Sequence, residues 1–316
     1  MTTFDEPIDP IGDTTVDPAG IAAATTGQLP IVPANTDTTK AVRKELRSQL
    51  YRSKTFIVGS IILAFWIFCA IFPDVIASQD PGLQDPSKKW LRPFSDGHWL
   101  GTDRFGRDVF SRAIHGAREI LIVAPAATIL GTIVGIVLGL AMGYFRGALD
   151  DVVSRIIEAL MSLPVILVAL LALTSLSGGR LTIILLIGFL FGPIIARTIR
   201  AAVLTERNLD YVRAAELRGE RSSYVMYAEI LPNVFGPIVV EFTVRLGYAV
   251  FTMAGLAFIG FGTQPGSPDW GRTIYEERSS LLSNVWWPAL VPALCLASLV
   301  VAINLLADAI QGLIDR

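Results

Sequence analysis

The chain has 316 residues, 52% hydrophobic and 17% charged, too apolar a balance for an ordinary soluble domain. A formal net charge of -2 argues against a nucleic-acid partner. His98 and His115 are the only histidines, no His/Cys/carboxylate cluster has metal-ligand spacing, and no Walker A stretch is present, so nucleotide hydrolysis would belong to another chain.

Residues 1–39 carry six aspartates and glutamates, no lysine or arginine, and much Thr, Pro, Ala and Gly. Such a segment buries too little apolar area to offset its ordering entropy, so a solvated, disordered tail without a signal peptide is expected. Lys40, Arg43, Lys44, Arg47, Arg52 and Lys54 follow, and basic residues before a first span place the N-terminus in the cytoplasm. The first apolar run covers residues 55–73, and residues 74–119 then form a loop expected to face outward.

Predominantly apolar runs predict further spans over residues 121–145, 156–174, 181–199, 233–258 and 286–310. That gives six spans with both termini cytoplasmic, an all-α membrane protein. Gly131, Gly135, Gly139 and Gly143 recur every fourth residue in the second span, which lets a neighbouring helix approach closely. The fourth is expected to be interrupted at Gly192-Pro193. Glu241 and Arg245 stand four residues apart in the fifth, spaced to pair on one helix face; a structural pair and a lining of a transport path are both open. Trp286-Trp287 anchors the sixth span at an interface, while Cys69 and Cys295 are expected as buried thiols.

Between the fourth and fifth spans lies a polar, arginine-bearing stretch, residues 200–232. Residues 211–218 predict one short helix and 223–231 a second, with Asn208 and Ser222 as N-caps and Gly219 at the bend. Arg213-Ala214-Ala215-Glu216, Gly219 and Ile230-Leu231-Pro232 resemble the coupling loop of ABC-importer permeases, the EAA-G-I-LP signature. Arg213 stands where that family usually has glutamate. The resemblance implies a cytoplasmic elbow seated in a groove of an ATPase subunit, with small residues allowing close approach.

Two further stretches narrow the resemblance. His98 to Arg118 reads HWLGTDRFGRDVFSRAIHGAR, similar to the HxLGTDxxGRDxxSRxxxGAR signature of the second permease subunit in dipeptide and oligopeptide importers. Arg104, Arg107 and Asp108 are expected either to hold the loop by local ion pairs or to meet solute. Asp103, Arg107 and Asp108 are candidate outer-loop or gate residues, and an interfacial amphipathic helix is expected to start near Asp108. The run GFGTQPGSPDWG resembles that family's GxGxQPPxPxWG, with Gln264 and Trp270 matched and Gly266 in place of a proline. An ordered outer loop that closes a gate or meets a binding protein is expected.

The resemblance implies a type I ABC importer transmembrane domain over residues 55–316, preceded by a cytoplasmic segment over 1–54. It implies a second permease subunit, cytoplasmic ATPase subunits carrying ATP and Mg, an extracytoplasmic binding protein and surrounding lipid, with no cofactor, metal or catalytic residue on this chain. Peptides are the expected solute, and nickel complexes or other small solutes are the alternative within the same machinery. An ion-gradient-driven transporter would need a carboxylate free to exchange ions, and Glu241 has Arg245 beside it. A membrane-embedded enzyme lacks a nucleophile or metal partner for either histidine.

Overall fold

The computed structural model describes residues 53–77, 79–175 and 179–314. The expected acidic tail and most of the basic segment lie outside the described residues. Among the described residues the regular structure is helical, and the only β-pairing is two isolated bridges, Ser95 with His98 and Thr102 with Asp108. Five helices are long and apolar enough to cross a membrane, or six spans if one bent pair counts as one.

Helix α1 (Lys54–Ile71) is capped by the Ser53 hydroxyl and continues after Phe72 into a single turn, α2 (Pro73–Ile76). Most of its surface is exposed aliphatic and aromatic side chain, including Ile61, Phe65 and Phe68. That is the surface expected to meet lipid or a neighbouring chain.

Helix α3 (Val109–Phe145) is one unbroken rod of 37 residues. The separate interfacial helix expected near Asp108 does not form. Asp108 is instead the N-cap of the whole rod, and its first turns are buried under loops.

Arg146, at φ +54°, turns the chain into α4 (Gly147–Met161), and α5 (Val165–Ser175) follows at 83° to it. The expected third span is therefore a bent pair. Pro164 disfavours helical geometry at Leu163 and removes a donor, which accounts for the break. Asp150 of α4 accepts two hydrogen bonds from the Arg200 guanidinium, at 2.5 and 2.6 Å.

Arg200 belongs to α6 (Arg180–Glu206), which runs through Gly192-Pro193 without interruption. A proline mid-helix forfeits one backbone bond, which packed neighbours tolerate in a membrane helix. Here the packing is the glycine face of α3. A β-carbon on Gly139 would stand 2.8 Å from the Ala196 carbonyl oxygen, and one on Gly135 would stand 2.5 Å from Ile195. The glycine face thus serves packing within this chain. Gly139→Leu should cost at least the ~1–3 kcal/mol of ordinary overpacking and lower the amount of folded chain before any partner is met. Expression with and without partner chains, read by detergent size-exclusion, checks this; normal folding alone with loss only on assembly would contradict it.

After the elbow, α10 (Phe235–Phe258) packs on α3, α6 and α12 (Trp287–Ile314). Helices α1 and α12 pair closely: Trp66 donates to Ser298 Oγ at 2.9 Å, and Gly59 lies against the Ala302 backbone. Cys69 is buried, Cys295 is half-buried, and both are free.

Candidate functional sites

At one end of the bundle the connection from α6 to α10 folds into an elbow. Helix α7 (Asp210–Leu217) is followed by α8 (Ser222–Tyr224), a π-helical stretch (Val225–Ile230) and α9 (Leu231–Asn233) in near-continuous succession. Neither expected N-cap forms. Leu209 and Arg221 occupy the cap positions without side-chain bonds. Asn208 instead donates to the Leu204 carbonyl at 2.9 Å and accepts from Arg146 at 3.2 Å, so it ties the elbow to the end of α3.

Gly219 ends α7 at φ +75°, with the Glu220 N–H bonded to the Ala215 carbonyl at 3.3 Å. This is a glycine C-cap in the left-handed region, which a β-carbon disfavours. Val212, Ala215, Val225 and Ile230 are fully buried and hold the two arms together. Ala215 is therefore small because the elbow packs on itself. Arg213, Ala214, Glu216, Arg218 and Gly219 are exposed, as is Pro232 beyond the half-buried Leu231, and Leu217 projects with 89% of its surface free.

The opposite end is closed by residues 79–108 folded against the segment after α10. Asp103 receives the Phe105 and Arg107 N–H groups at 2.8 and 2.9 Å on one oxygen, and Arg107 Nε at 2.5 Å on the other. Arg107 then donates to Glu276 at 3.0 Å. Glu276, on α11 (Trp270–Glu277), also accepts from the Gly266 N–H and from Arg272 Nε, both at 3.0 Å. Arg112 is buried and donates to the Gly266 and Ser267 carbonyls and to Thr273 Oγ1, at 3.0, 2.7 and 3.0 Å.

Trp270, fully buried, donates to the Ala113 carbonyl at 2.8 Å and meets Trp66 edge-on. Gly116 is the residue that leaves room for it, since a β-carbon there would stand 2.5 Å from the indole. Asp108 accepts from the Ser111 N–H at 2.7 Å and bonds His98 Nδ1 at 2.9 Å. Gln264 is exposed on a cavity of about 300 Å³ shared with Glu119 and Arg180, which form an ion pair with each other.

The loop's charges thus bind one another, and Asp103, Arg107 and Asp108 are placed as scaffold. The sequence reading did not single out Glu276 and Glu277. Arg107 lies far from Glu276 in the chain, and the local signals are the i, i+4 spacing of Arg272 and Glu276 and two adjacent carboxylates on a short helix after a Pro/Gly loop.

Glu277 is fully buried, with Arg104 Nε at 3.5 Å and no hydrogen bond to either oxygen among the described residues. Burial, then the like charge of Asp103, pushes its carboxyl up to about 7; burial pushes that of Asp269 up to about 6. For Glu276 burial acts upward, but the Gly266 N–H and the Arg107 and Arg272 guanidiniums outweigh it and hold the group below the usual range.

A carboxyl with a raised folded-state pKa contributes most when protonated, so its contribution is lost as pH rises through about 7 for Glu277. Glu276 acts in the opposite sense, at acid pH. Thermal stability in detergent should therefore fall from pH 5.5 to 8, and Glu277→Gln should flatten that slope while raising stability at pH 8. Parallel curves for the two proteins would refute the assignment.

Within the bundle Glu241 and Arg245 pair at 2.6 Å, one helical turn apart on α10 and both largely buried. Thr198 of α6 reaches Glu241 at 3.4 Å. The structural-pair reading fits this geometry.

Long apolar helices, a self-packed elbow at one end and a tied plug at the other define a polytopic helical membrane permease. Residues 135–316 match the family described as binding-protein-dependent transport system inner membrane component, and residues 43–93 match the N-terminal TM domain of oligopeptide transport permease C. The chain belongs to the binding-protein-dependent transport permeases.

It is 33% identical over 279 residues to the di/tripeptide transport system permease protein DppC of Pseudomonas aeruginosa (strain UCBPP-PA14), covering 86% of this chain and 91% of that one. The dipeptide transport system permease protein DppC of Escherichia coli (strain K12) is 35% identical, covering 84% and 89%. The probable peptide ABC transporter permease protein y4tQ of Sinorhizobium fredii (strain NBRC 101917 / NGR234) is 38% identical, covering 81% and 87%. Among solved structures, a chain of the MetNI methionine ABC transporter in inward-facing conformations superposes with a TM-score of 0.53 at 19% identity, over 64% of this chain and 96% of that one. The fold is that of an ABC importer transmembrane domain.

Proposed function

We propose that this chain is one of two permease subunits of an ATP-driven importer that admits short peptides by alternating access. The observation that carries the solute class is that relatives aligned over more than four-fifths of the chain are named for di- and tripeptide, dipeptide and peptide transport. The elbow faces the cytoplasm, and both termini lie on that side. Its exposed tip, from Arg213 to Gly219, seats in an ATPase subunit that carries ATP and Mg, so nucleotide closure is transmitted to α6 and α10. The plug formed by residues 79–108 and α11 faces outward and receives an external binding protein.

Proteoliposomes holding the assembled transporter, with ATP on the ATPase side, should take up dialanine delivered by the binding protein. Uptake that needs a proton or sodium gradient and no ATP would overturn the reading. Uptake of nickel chelates with none of peptide would keep the machinery and change the solute.

A further inference from the structure

Exposed side chains at membrane depth are not alike around the bundle. Along the middle of α1, α3 and α5 they are aliphatic or phenylalanine, for example Ile61, Ile133 and Leu171, while α6 exposes Arg197 and Thr198 beside Phe189. The groove between α10 and α12 differs. It encloses about 390 Å³ and is lined by Tyr248 and Phe251 from one helix and by Asn304 and Asp308 from the other. Asn304 and Asp308 are four residues apart, on one face of α12, and both are exposed. An ionisable group in the inner half of a membrane helix faces protein or water rather than lipid, and a counter-charge stabilises it there.

That counter-charge is missing from the chain as described. Asp308 makes no hydrogen bond or ion pair among the described residues. The basic residue on the facing helix, Arg245, is already held by Glu241 at 2.6 Å. Gly247 forms the floor, and Asn304 Oδ1 lies 2.9 Å from where its β-carbon would stand, so any larger residue would enter the groove. A carboxylate, an amide and two aromatic rings around a small cavity have the chemistry that recognises an ammonium group, by charge-assisted hydrogen bonding and by attraction to the ring faces. The volume lies within the range of small-ligand sites.

We propose that the groove between α10 and α12 binds the protonated amine of a passing solute, with Asp308 as counter-ion, Asn304 as acceptor and Tyr248 and Phe251 as walls. The inference rests on the peptide-importer reading, since the N-terminus of a short peptide supplies that amine. Asp308 lies in the half of the bundle nearer the elbow, two turns short of the end of α12, so the amine would be met late in passage.

The test uses the full complex in proteoliposomes and dialanine presented at saturating loaded binding protein, so that the binding protein's own selectivity drops out. Asp308→Asn should lower the uptake rate roughly ten- to a hundredfold, the size of one charge-assisted hydrogen bond, while assembly stays normal. Asp308→Glu should retain most uptake, and Tyr248→Leu should lie between. Wild-type rates in Asp308→Asn would overturn the proposal. So would loss of assembly in Asp308→Asn, which would make the carboxylate an ion-pair partner of the second permease subunit. A wild-type complex that hydrolyses ATP but takes up no dialanine would remove the peptide reading, and this site with it.

Discussion

Arg107→Met should unlock the plug at the end opposite the elbow, at a cost of about 3–5 kcal/mol, the penalty for removing one partner of a buried ion pair. Arg107 is 1% exposed and bridges Asp103 to Glu276, so its loss leaves two buried carboxylates facing each other. Burial works to lower the Arg107 pKa, yet the charges of Asp103 and Glu276 outweigh it and hold the group above its ordinary value. The guanidinium is therefore bound more strongly than burial penalises it.

A lower melting temperature in detergent and early proteolysis within residues 79–108 would report the loss. Arg107→Met combined with Glu276→Gln should recover part of it, because the second change removes one of the two like charges that the arginine separated, although Glu276 also pairs with Arg272. Equal instability in the single and double variants would mean that packing of the arginine stem, rather than charge, holds the plug.

The spans were legible in the sequence because a membrane helix announces itself by length and apolarity alone, and the glycine face of α3 because its period matches a helical turn. Pro193 misled because a proline is read as a local break, whereas α6 is held straight by packing against α3. Leu163-Pro164 shows the opposite outcome: with less packing around it, the break occurs. The caps at Asn208 and Ser222 failed for a related reason, since Asn208 finds partners in Leu204 and Arg146 and the helix starts a residue earlier than Ser223.

The plug was legible as a motif and illegible as a network. Arg112 with Thr273, and Arg107 with Glu276, are pairs that only the closed fold brings together. Ala215 suggests a partner contact because small residues allow close approach, but it is fully buried within this chain, in the same core as Val225 and Ile230.

That placement changes which substitutions should sever coupling. Ala215→Trp would burst the elbow before any partner docked, so its failure would not report coupling. The cleaner variants are Leu217→Asp and Ala214→Trp, on the exposed side of α7. Leu217 is an apolar side chain left 89% exposed at the tip of a connector, a position at which a soluble partner is expected to bury it.

Both variants should leave thermal stability within about 0.5 kcal/mol of wild type, as for surface changes that remove no contact. Solute-stimulated ATP hydrolysis and uptake should fall to the level of a complex without solute. Gly219→Val should lose coupling by another path, because φ +75° costs a β-branched residue about 1–2 kcal/mol or more and displaces the tip. Arg213→Glu, on the same exposed face, should keep stimulation if the tip seats mainly through Ala214 and Leu217. Hydrolysis measured with and without loaded binding protein separates these cases. If Leu217→Asp and Ala214→Trp are both stimulated as strongly as wild type, the force between ATPase and bundle does not pass through the tip of α7, and the elbow serves only to connect α6 with α10.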